Sequence, residues 1–189
     1  MLCRENFLER VEKIAANHPK GIILREKDLS EKEYKALAEN FMKLCETYHV
    51  PCILHSFVDV AIELGADNIH LPLHILRGLD KKTKEKFKII GASCHSVEEA
   101  QEAERLGCTY ITAGHVFVTD CKKGLAPRGL NFLKDVVESV SIPVYGIGGI
   151  DSMNIHAVRN TGADGACIMS GLMKCDDVSD FMKDFEIKA

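Results

Sequence analysis

Short apolar runs alternate with longer amphipathic segments along most of the chain. The short runs are continuously apolar and do not alternate with polar residues, which is typical of parallel strands covered by helices on both faces. They predict seven strands, at residues 21–26, 52–56, 68–72, 88–94, 109–116, 143–149 and 165–171.

The amphipathic segments predict eight helices, at residues 5–17, 30–49, 58–64, 74–86, 97–106, 130–139, 152–160 and 176–185. Ser30, with Glu33 three residues later, forms a capping box that starts the second of them. Three helices end in a glycine suited to a left-handed stop, at Gly65, Gly107 and Gly162. The repeat predicts an α/β fold, a TIM (β/α)8-type barrel, as a single domain over residues 1–189. An open doubly wound sheet is the alternative.

The predicted order begins with a helix, so the first strand of an eight-stranded barrel is missing from this chain. Either the true start lies upstream of Met1, or the barrel keeps an unpaired seam beside residues 21–26. We favour a truncated or mis-assigned start.

The composition is that of a globular protein, with 46% hydrophobic and 28% charged residues and no apolar stretch of membrane-spanning length. No leader resembling a signal peptide opens the chain, so we expect a cytoplasmic protein without a membrane partner. The net charge of −4 gives no reason to expect nucleic acid. The eight cysteines are scattered without a C-x-x-C pair, which favours reduced thiols over a zinc site. A homo-oligomer is compatible with these features.

Glycines lie at the ends of the last two predicted strands, in Gly146-Ile147-Gly148-Gly149-Ile150 and Met169-Ser170-Gly171. In (β/α) barrels these two loops often hold a phosphate, because glycine leaves backbone N–H groups uncovered beside a helix N-terminus. We therefore predict a phosphate site at Gly148, Gly149, Ser170 and Gly171. The alternative is that the glycines only make tight turns.

Three other strand ends carry candidate binding or catalytic side chains. Arg25 and Lys27 could hold a second anion, although for this motif alone a solvated charge cluster running into Asp28 is the favoured interpretation. His115 follows the fifth strand and is suited to proton transfer near neutral pH; its loop adds Thr119 and Lys122. A histidine hydrogen-bonded within the strand end is the alternative there. Ser93 and His95 end the fourth strand.

With these residues placed, the chain resembles the thiamin phosphate synthase/TenI family of (β/α)8 barrels from residue 21 to about residue 174. The resemblance rests on five motifs: Leu24-Arg25-Glu26-Lys27, Ala66-Asp67-Asn68-Ile69-His70-Leu71, Ile90-Gly91-Ala92-Ser93-Cys94-His95-Ser96, Gly146-Ile147-Gly148-Gly149-Ile150 and Gly162-Ala163-Asp164-Gly165. It implies a phosphorylated thiazole as substrate, with its phosphate on the two glycine loops.

The resemblance leaves two enzymes and a third, non-catalytic alternative. Thiamin phosphate synthases couple a pyrimidine pyrophosphate to the thiazole and hold Mg²⁺ on two aspartates, but the matching segments here read His55-Ser56 and Pro72-Leu73-His74-Ile75. TenI-type thiazole tautomerases share the Gly114-His115 segment and need no metal. We therefore predict a metal-free tautomerase with His115 as its catalytic residue. A Mg²⁺-dependent synthase, in which Arg25 and Lys27 grip pyrophosphate, is the alternative, followed by a non-catalytic thiazole-phosphate-binding relative.

Overall fold

The computed structural model describes residues 5–185, with the backbone alone at Cys121. The prediction about a start at Met1 lies outside these residues. Two compact units interleave along the chain: one comprises residues 1–70, 81–88 and 169–189, and the other residues 71–80 and 89–168. We call them the first and the second unit.

The described residues contain seven strands. They are β1 (Ile22–Leu24), β2 (Cys52–His55), β3 (Asn68–Pro72), β4 (Ile89–Cys94), β5 (Tyr110–Gly114), β6 (Val144–Ile147) and β7 (Gly165–Cys167). The helices are α1 (Phe7–Ala15), α2 (Glu31–Thr47), α3 (Val58–Glu63), α4 (Leu73–Gly78), α5 (Lys81–Lys84), α6 (Val97–Arg105), α7 (Gly129–Ser139), α8 (Ile155–Arg159), α9 (Ser170–Lys174) and α10 (Val178–Lys183), with a 3-10 helix at Asp120–Lys122.

In the first unit, β1 pairs in parallel with β2, and β2 pairs in parallel with β3, with Leu24 opposite Leu54 and His55 opposite His70. The predicted capping box starts α2, since the Ser30 hydroxyl accepts a hydrogen bond from the Glu33 N–H and the Glu33 carboxylate accepts one from the Ser30 N–H. Tyr34 on the same helix is fully buried. These elements bring the ends of β1 and β2 next to each other.

A buried arginine connects α1 to α9 and to the residue that follows it. The Arg10 side chain is 3% exposed and donates hydrogen bonds to the carbonyl oxygens of Leu172 and Cys175. Glu5 pairs with the same guanidinium, with 2.9 Å between Arg10 Nε and Glu5 Oε1. A charge buried to this degree requires such a partner, because an unpaired one would cost several kcal/mol.

In the second unit, β4, β5, β6 and β7 are parallel and follow one another in chain order. β5 is buried along its whole length, which explains why its sequence is continuously apolar. α6 ends at Gly107, whose φ of +91° is the left-handed stop that the sequence predicts. Within the described residues, no helix is both long and apolar enough to cross a bilayer.

Several predicted boundaries are wrong. The run at 165–171 is a strand only as far as Cys167, and Ser170 begins α9. The predicted strands at 21–26, 109–116 and 143–149 end earlier, at Leu24, Gly114 and Ile147, so Arg25 follows β1 and does not belong to it.

Two predicted helices also differ from the structure. The segment at 74–86 forms two helices, α4 and α5, because the chain leaves the helix after Gly78. The helix predicted from residue 152 begins at Ile155, since the Asp151 carboxylate and Asn154 side chain make a turn before it.

Candidate functional site

The glycine turn after β6 is fixed by the strand beside it. Gly114 pairs with Ile147, so His115 leaves β5 next to Gly148. The N–H of Val116 donates to the carbonyl of Ile147 at 2.9 Å, and the N–H of Phe117 donates to the carbonyl of Gly148 at 2.9 Å. The chain after β5 therefore continues to follow β6 beyond the end of the ladder.

Gly148 and Gly149 are both irreplaceable by larger residues at this turn. Gly148 has a φ of +98°, and a Cβ there would lie 2.4 Å from the Cβ of His115. A Cβ on Gly149 would lie 2.4 Å from the carbonyl oxygen of Val118. The Asn154 side chain donates to the Gly149 carbonyl at 2.9 Å, which fixes the far side of the turn. The turn therefore presents backbone without side chains, as a phosphate site requires.

His115 packs against this turn. A Cβ added to Gly148 would lie 2.4 Å from the Cβ of His115, so the His115 side chain occupies the space beside this glycine. The Nε2 of His115 lies 3.4 Å from the carbonyl oxygen of Leu125. The carbonyl of His115 accepts a hydrogen bond from the N–H of Arg128 at 3.0 Å. These contacts give His115 a structural role at the turn.

Thr119 and Lys122 lie farther along the same loop. The N–H of Lys122 donates to the carbonyl of Thr119 at 3.0 Å, which closes the 3-10 turn. Lys122 is exposed.

His95 lines a cavity of about 210 Å³ at the ends of β3 and β4. Its Nδ1 lies 2.8 Å from the carbonyl oxygen of Gly114, and because a carbonyl only accepts, Nδ1 carries the proton. The lone pair of Nε2 is therefore available to a ligand. The cavity is lined by Pro72, Leu73, His74, Arg77, Ser93, His95 and Glu99.

The charged side chains around His95 form hydrogen bonds with other residues of the second unit. The Arg77 guanidinium binds the Glu102 carboxylate through two hydrogen bonds of 2.7 Å. The Glu99 carboxylate accepts a hydrogen bond from the His95 N–H at 2.5 Å. The cavity is thus a polar cleft lined by two imidazole rings, those of His74 and His95.

The first unit holds a second group of polar residues at the ends of β1 to β3. The Tyr34 hydroxyl donates to the carbonyl of Leu24 at 2.8 Å and accepts from the N–H of His55 at 2.9 Å, so it bridges the two strand ends. Burial raises the pKa of Tyr34 to about 12, which keeps this donor protonated. Arg25 and Lys27 follow β1 and are exposed.

Two buried histidines lie beneath these cations. The rings of His55 and His70 stack with centroids 5.6 Å apart, and His55 is 4% exposed. Burial, together with the charges of Arg25 and Lys27, lowers the pKa of His55 to about 4. Burial, His55 and Arg25 lower the pKa of His70 to about 3. Both rings are therefore neutral at pH 7.

Sequence reasoning missed this histidine pair as a functional feature. His55 lies near the end of one predicted strand and His70 in the middle of the next, and only the register that sets His55 opposite His70 shows that they stack.

Ser170 and Gly171 belong to the first unit, whereas Gly148 and Gly149 belong to the second. Ser170 and Gly171 lie in the first turn of α9. A Cβ on Gly171 would lie 2.5 Å from the Phe181 ring on α10, so packing of α9 on α10 is sufficient reason for this glycine. Their part in a phosphate site stays a prediction.

The described residues contain no group of three or more histidine, cysteine, aspartate or glutamate side chains that could hold a metal ion. The two segments that the family resemblance associates with Mg²⁺ present His55-Ser56 and Pro72-Leu73-His74-Ile75. Mg²⁺ prefers oxygen ligands, usually with one or two carboxylates. These residues do not fit that ion.

Comparisons with known proteins place the chain among thiamine biosynthetic enzymes. The family model described as thiamine monophosphate synthase matches residues 1–172. A thiamine-phosphate synthase of Clostridium acetobutylicum is 38% identical over 160 residues, covering 83% of this chain and 75% of that protein. One from Desulfitobacterium hafniense is 36% identical over 179 residues, covering 92% and 84%.

A solved structure supports the fold class. The thiamine phosphate pyrophosphorylase of Pyrococcus furiosus matches with a TM-score of 0.84 and 33% identity, covering 96% of this chain and 88% of that one. A 3-hexulose-6-phosphate synthase matches with a TM-score of 0.69 at 18% identity, which supports the fold alone. The predicted α/β, TIM-barrel-like class is confirmed.

The predicted thiazole tautomerase activity is wrong. The relatives are named thiamine-phosphate synthases, and none of them supports an isomerase. The interpretation failed because it ranked the Gly114-His115 segment and the absent aspartates above the likeness of the whole chain. The chain belongs to the thiamine monophosphate synthase family.

Proposed function

We propose that this protein is a thiamine-phosphate synthase, a transferase that joins a pyrimidine pyrophosphate to a thiazole phosphate and releases pyrophosphate. The observation that carries the proposal is the 38% identity to a thiamine-phosphate synthase over 83% of this chain. The Arg25–Lys27 segment agrees with it, because a reaction that releases pyrophosphate needs cations at the leaving group.

The glycine turn after β6 is the proposed site of the thiazole phosphate. Gly148 and Gly149 leave the backbone uncovered, and the hydrogen bonds of Val116 and Phe117 to this strand end hold the turn rigid. A preformed cradle binds an anion without the cost of ordering a loop. Ser170 and Gly171, in the first turn of α9, are proposed separately as phosphate-binding residues of their own unit.

His115 has a positioning role in this proposal. Its Cβ lies against Gly148, and the coupling reaction requires no proton transfer from carbon that would call for an acid/base histidine. Ser93 and His95 are proposed to bind the substrate through the cavity at the end of β4, where Nε2 of His95 accepts a hydrogen bond. Thr119 and Lys122 are proposed contacts from the loop after β5.

Arg25 and Lys27 are proposed to bind the pyrophosphate and to stabilise it as it leaves. A guanidinium offers paired donors to phosphate oxygens, and each charge-assisted hydrogen bond of this kind contributes roughly 1.5–3 kcal/mol. No step through Mg²⁺ is derived, because the two segments expected to bind it lack carboxylates.

A second candidate is a relative that binds thiazole phosphate without turnover. The same lack of carboxylates at His55-Ser56 and Pro72-Leu73-His74-Ile75 favours it, since pyrophosphate departure is slow when the developing charge is poorly neutralised.

Formation of thiamine phosphate tests the proposal against this alternative. The full chain is incubated with hydroxymethylpyrimidine pyrophosphate and thiazole phosphate, once with MgCl₂ and once with EDTA, and the product is converted to its fluorescent oxidation product and measured. A synthase forms thiamine phosphate in at least one condition. Binding of thiazole phosphate with no product in either condition would establish the silent relative.

A further inference from the structure

The cations after β1 remain unpaired in the described part of the chain. Arg25 and Lys27 are exposed, and neither makes an ion pair with a residue in 5–185. Glu26 lies between them, but its charge acts on Tyr34, whereas the charges of Arg25 and Lys27 act on His55. The positive charges of Arg25 and Lys27 therefore both act on the end of β2.

The surface beneath these cations is neutral. β1 and β2 pair with Leu24 opposite Leu54, so Arg25 and His55 leave the ladder side by side. Burial and the neighbouring cations keep the pKa of His55 well below neutral, so its ring adds no charge at pH 7. Within residues 5–185, neither Glu26 nor Asp28 makes an ion pair with Arg25 or Lys27, so both cations are open to an anionic ligand.

Ser56 supplies a hydroxyl at the same strand end. Its Oγ lies 2.6 Å from Nδ1 of His55. When Nδ1 carries the proton, the hydroxyl accepts this hydrogen bond, and its own hydrogen is available to an anion. Ser56 has a φ of +67°, a backbone conformation that aspartate and asparagine adopt more easily than most other residues. The backbone conformation at this position therefore does not require serine.

The residues at these strand ends differ from those of a magnesium site in the sign of their charge. A divalent cation beside Arg25 and Lys27 would meet two like charges and a pair of buried, neutral imidazoles, with no carboxylate from His55-Ser56. A phosphoryl group at the same place would meet two cations, and also a hydroxyl donor when Nδ1 of His55 carries the proton. The residues select an anion and reject a hard cation.

We infer that the ends of β1 and β2 bind a pyrophosphoryl group directly through Arg25, Lys27 and Ser56, without a divalent metal ion. The identity of this anion rests on the proposed function, but the absence of a metal requirement does not. The side-chain cations neutralise the charge of the pyrophosphoryl group, as a metal ion would otherwise do.

Calorimetric titration of the full chain with sodium pyrophosphate in EDTA tests this inference. The wild type is expected to bind, and Arg25→Ala is expected to weaken binding by about tenfold or more, as expected for one charge-assisted contact. Lys43→Ala removes the same charge at the opposite end of β2, beside Pro51 and Cys52, and is expected to leave binding unchanged. Ser56→Asp fits the backbone and should weaken binding in EDTA by about tenfold or more, because it sets a carboxylate against the anion.

Two results would overturn the inference: binding of pyrophosphate only when MgCl₂ is present, or no binding in either buffer. The outcome is separable from the proposed function. A chain that forms thiamine phosphate but binds pyrophosphate only with MgCl₂ keeps the function and loses this inference. A chain that binds pyrophosphate in EDTA but never forms thiamine phosphate keeps this inference and loses the proposed function.

Discussion

The glycine turn after β6 and the cationic strand ends after β1 and β2 are built in opposite ways. At the first, backbone hydrogen bonds from Val116 and Phe117 hold a turn from which side chains are excluded. At the second, charged side chains lie above two buried neutral histidines. An anion site built from backbone is sensitive to added volume, whereas one built from side chains is sensitive to charge and to pH.

The largest expected effect comes from adding volume to the backbone site. Gly148→Ala requires a left-handed alanine and brings its Cβ to 2.4 Å from that of His115, so the turn must move. A displacement of about 1 Å in an element that positions a substrate can lower the rate by about 100-fold. Steady-state formation of thiamine phosphate measures it.

Gly107→Ala is the matched control. Gly107 also has a positive φ, of +91°, but no atom lies within 4 Å of the added Cβ. It carries the same backbone strain, of roughly 1 kcal/mol, without the collision. Equal losses of rate in the two variants would show that strain alone is responsible and would remove the turn from the site.

Acid is expected to destabilise the side-chain site. The folded protein keeps the pKa of His55 at about 4, below the ordinary value, so the unfolded chain binds more protons between these two values. Stability is therefore fully present above about pH 6.5 and falls as the pH decreases towards 4. From pH 7 to pH 5 the free energy of unfolding should drop by about 2 kcal/mol for this histidine.

Urea unfolding of wild type and His55→Gln at both pH values checks this effect, because the glutamine variant lacks the titrating ring. Its pH dependence should be shallower by the same amount. His156→Gln, on the exposed face of α8, is the control and should follow the wild type. Parallel curves for His55→Gln and wild type would mean that His55 is not kept neutral by the fold.

The smallest expected effect is that of His115→Ala. Because His115 supports the turn through its Cβ and its backbone, which alanine retains, the rate should fall by at most about tenfold. The rate of product formation and the KM for thiazole phosphate are measured together. A loss of about 100-fold in kcat with unchanged KM would give the imidazole a chemical role and contradict the positioning role.

The sequence predicted the backbone site better than the side-chain site, and the reason is locality. Ser30 with Glu33, the stop at Gly107 and the glycine turn at Gly148 and Gly149 are local signals, and the structure places each where the pattern indicated. The strand before that turn is shorter than predicted, since β6 ends at Ile147. The stack of His55 on His70 depends on the register of two strands, which no local pattern contains.

The wrong boundaries have a related cause. The apolar run at 165–171 could not show where β7 ends, because the packing of Gly171 on Phe181 depends on α10, farther along the chain. The functional error had a similar origin, since the segment at His115 received more weight than the likeness of the whole chain to thiamine-phosphate synthases.

If this protein couples two substrates, each molecule of thiamine phosphate is formed with the release of one pyrophosphate. Pyrophosphate and thiamine phosphate are quantified in the same reaction, with each substrate alone as a control. We expect equal amounts of the two products and no release with either substrate alone. Release of pyrophosphate without thiamine phosphate, or no release when both substrates are present, would contradict it.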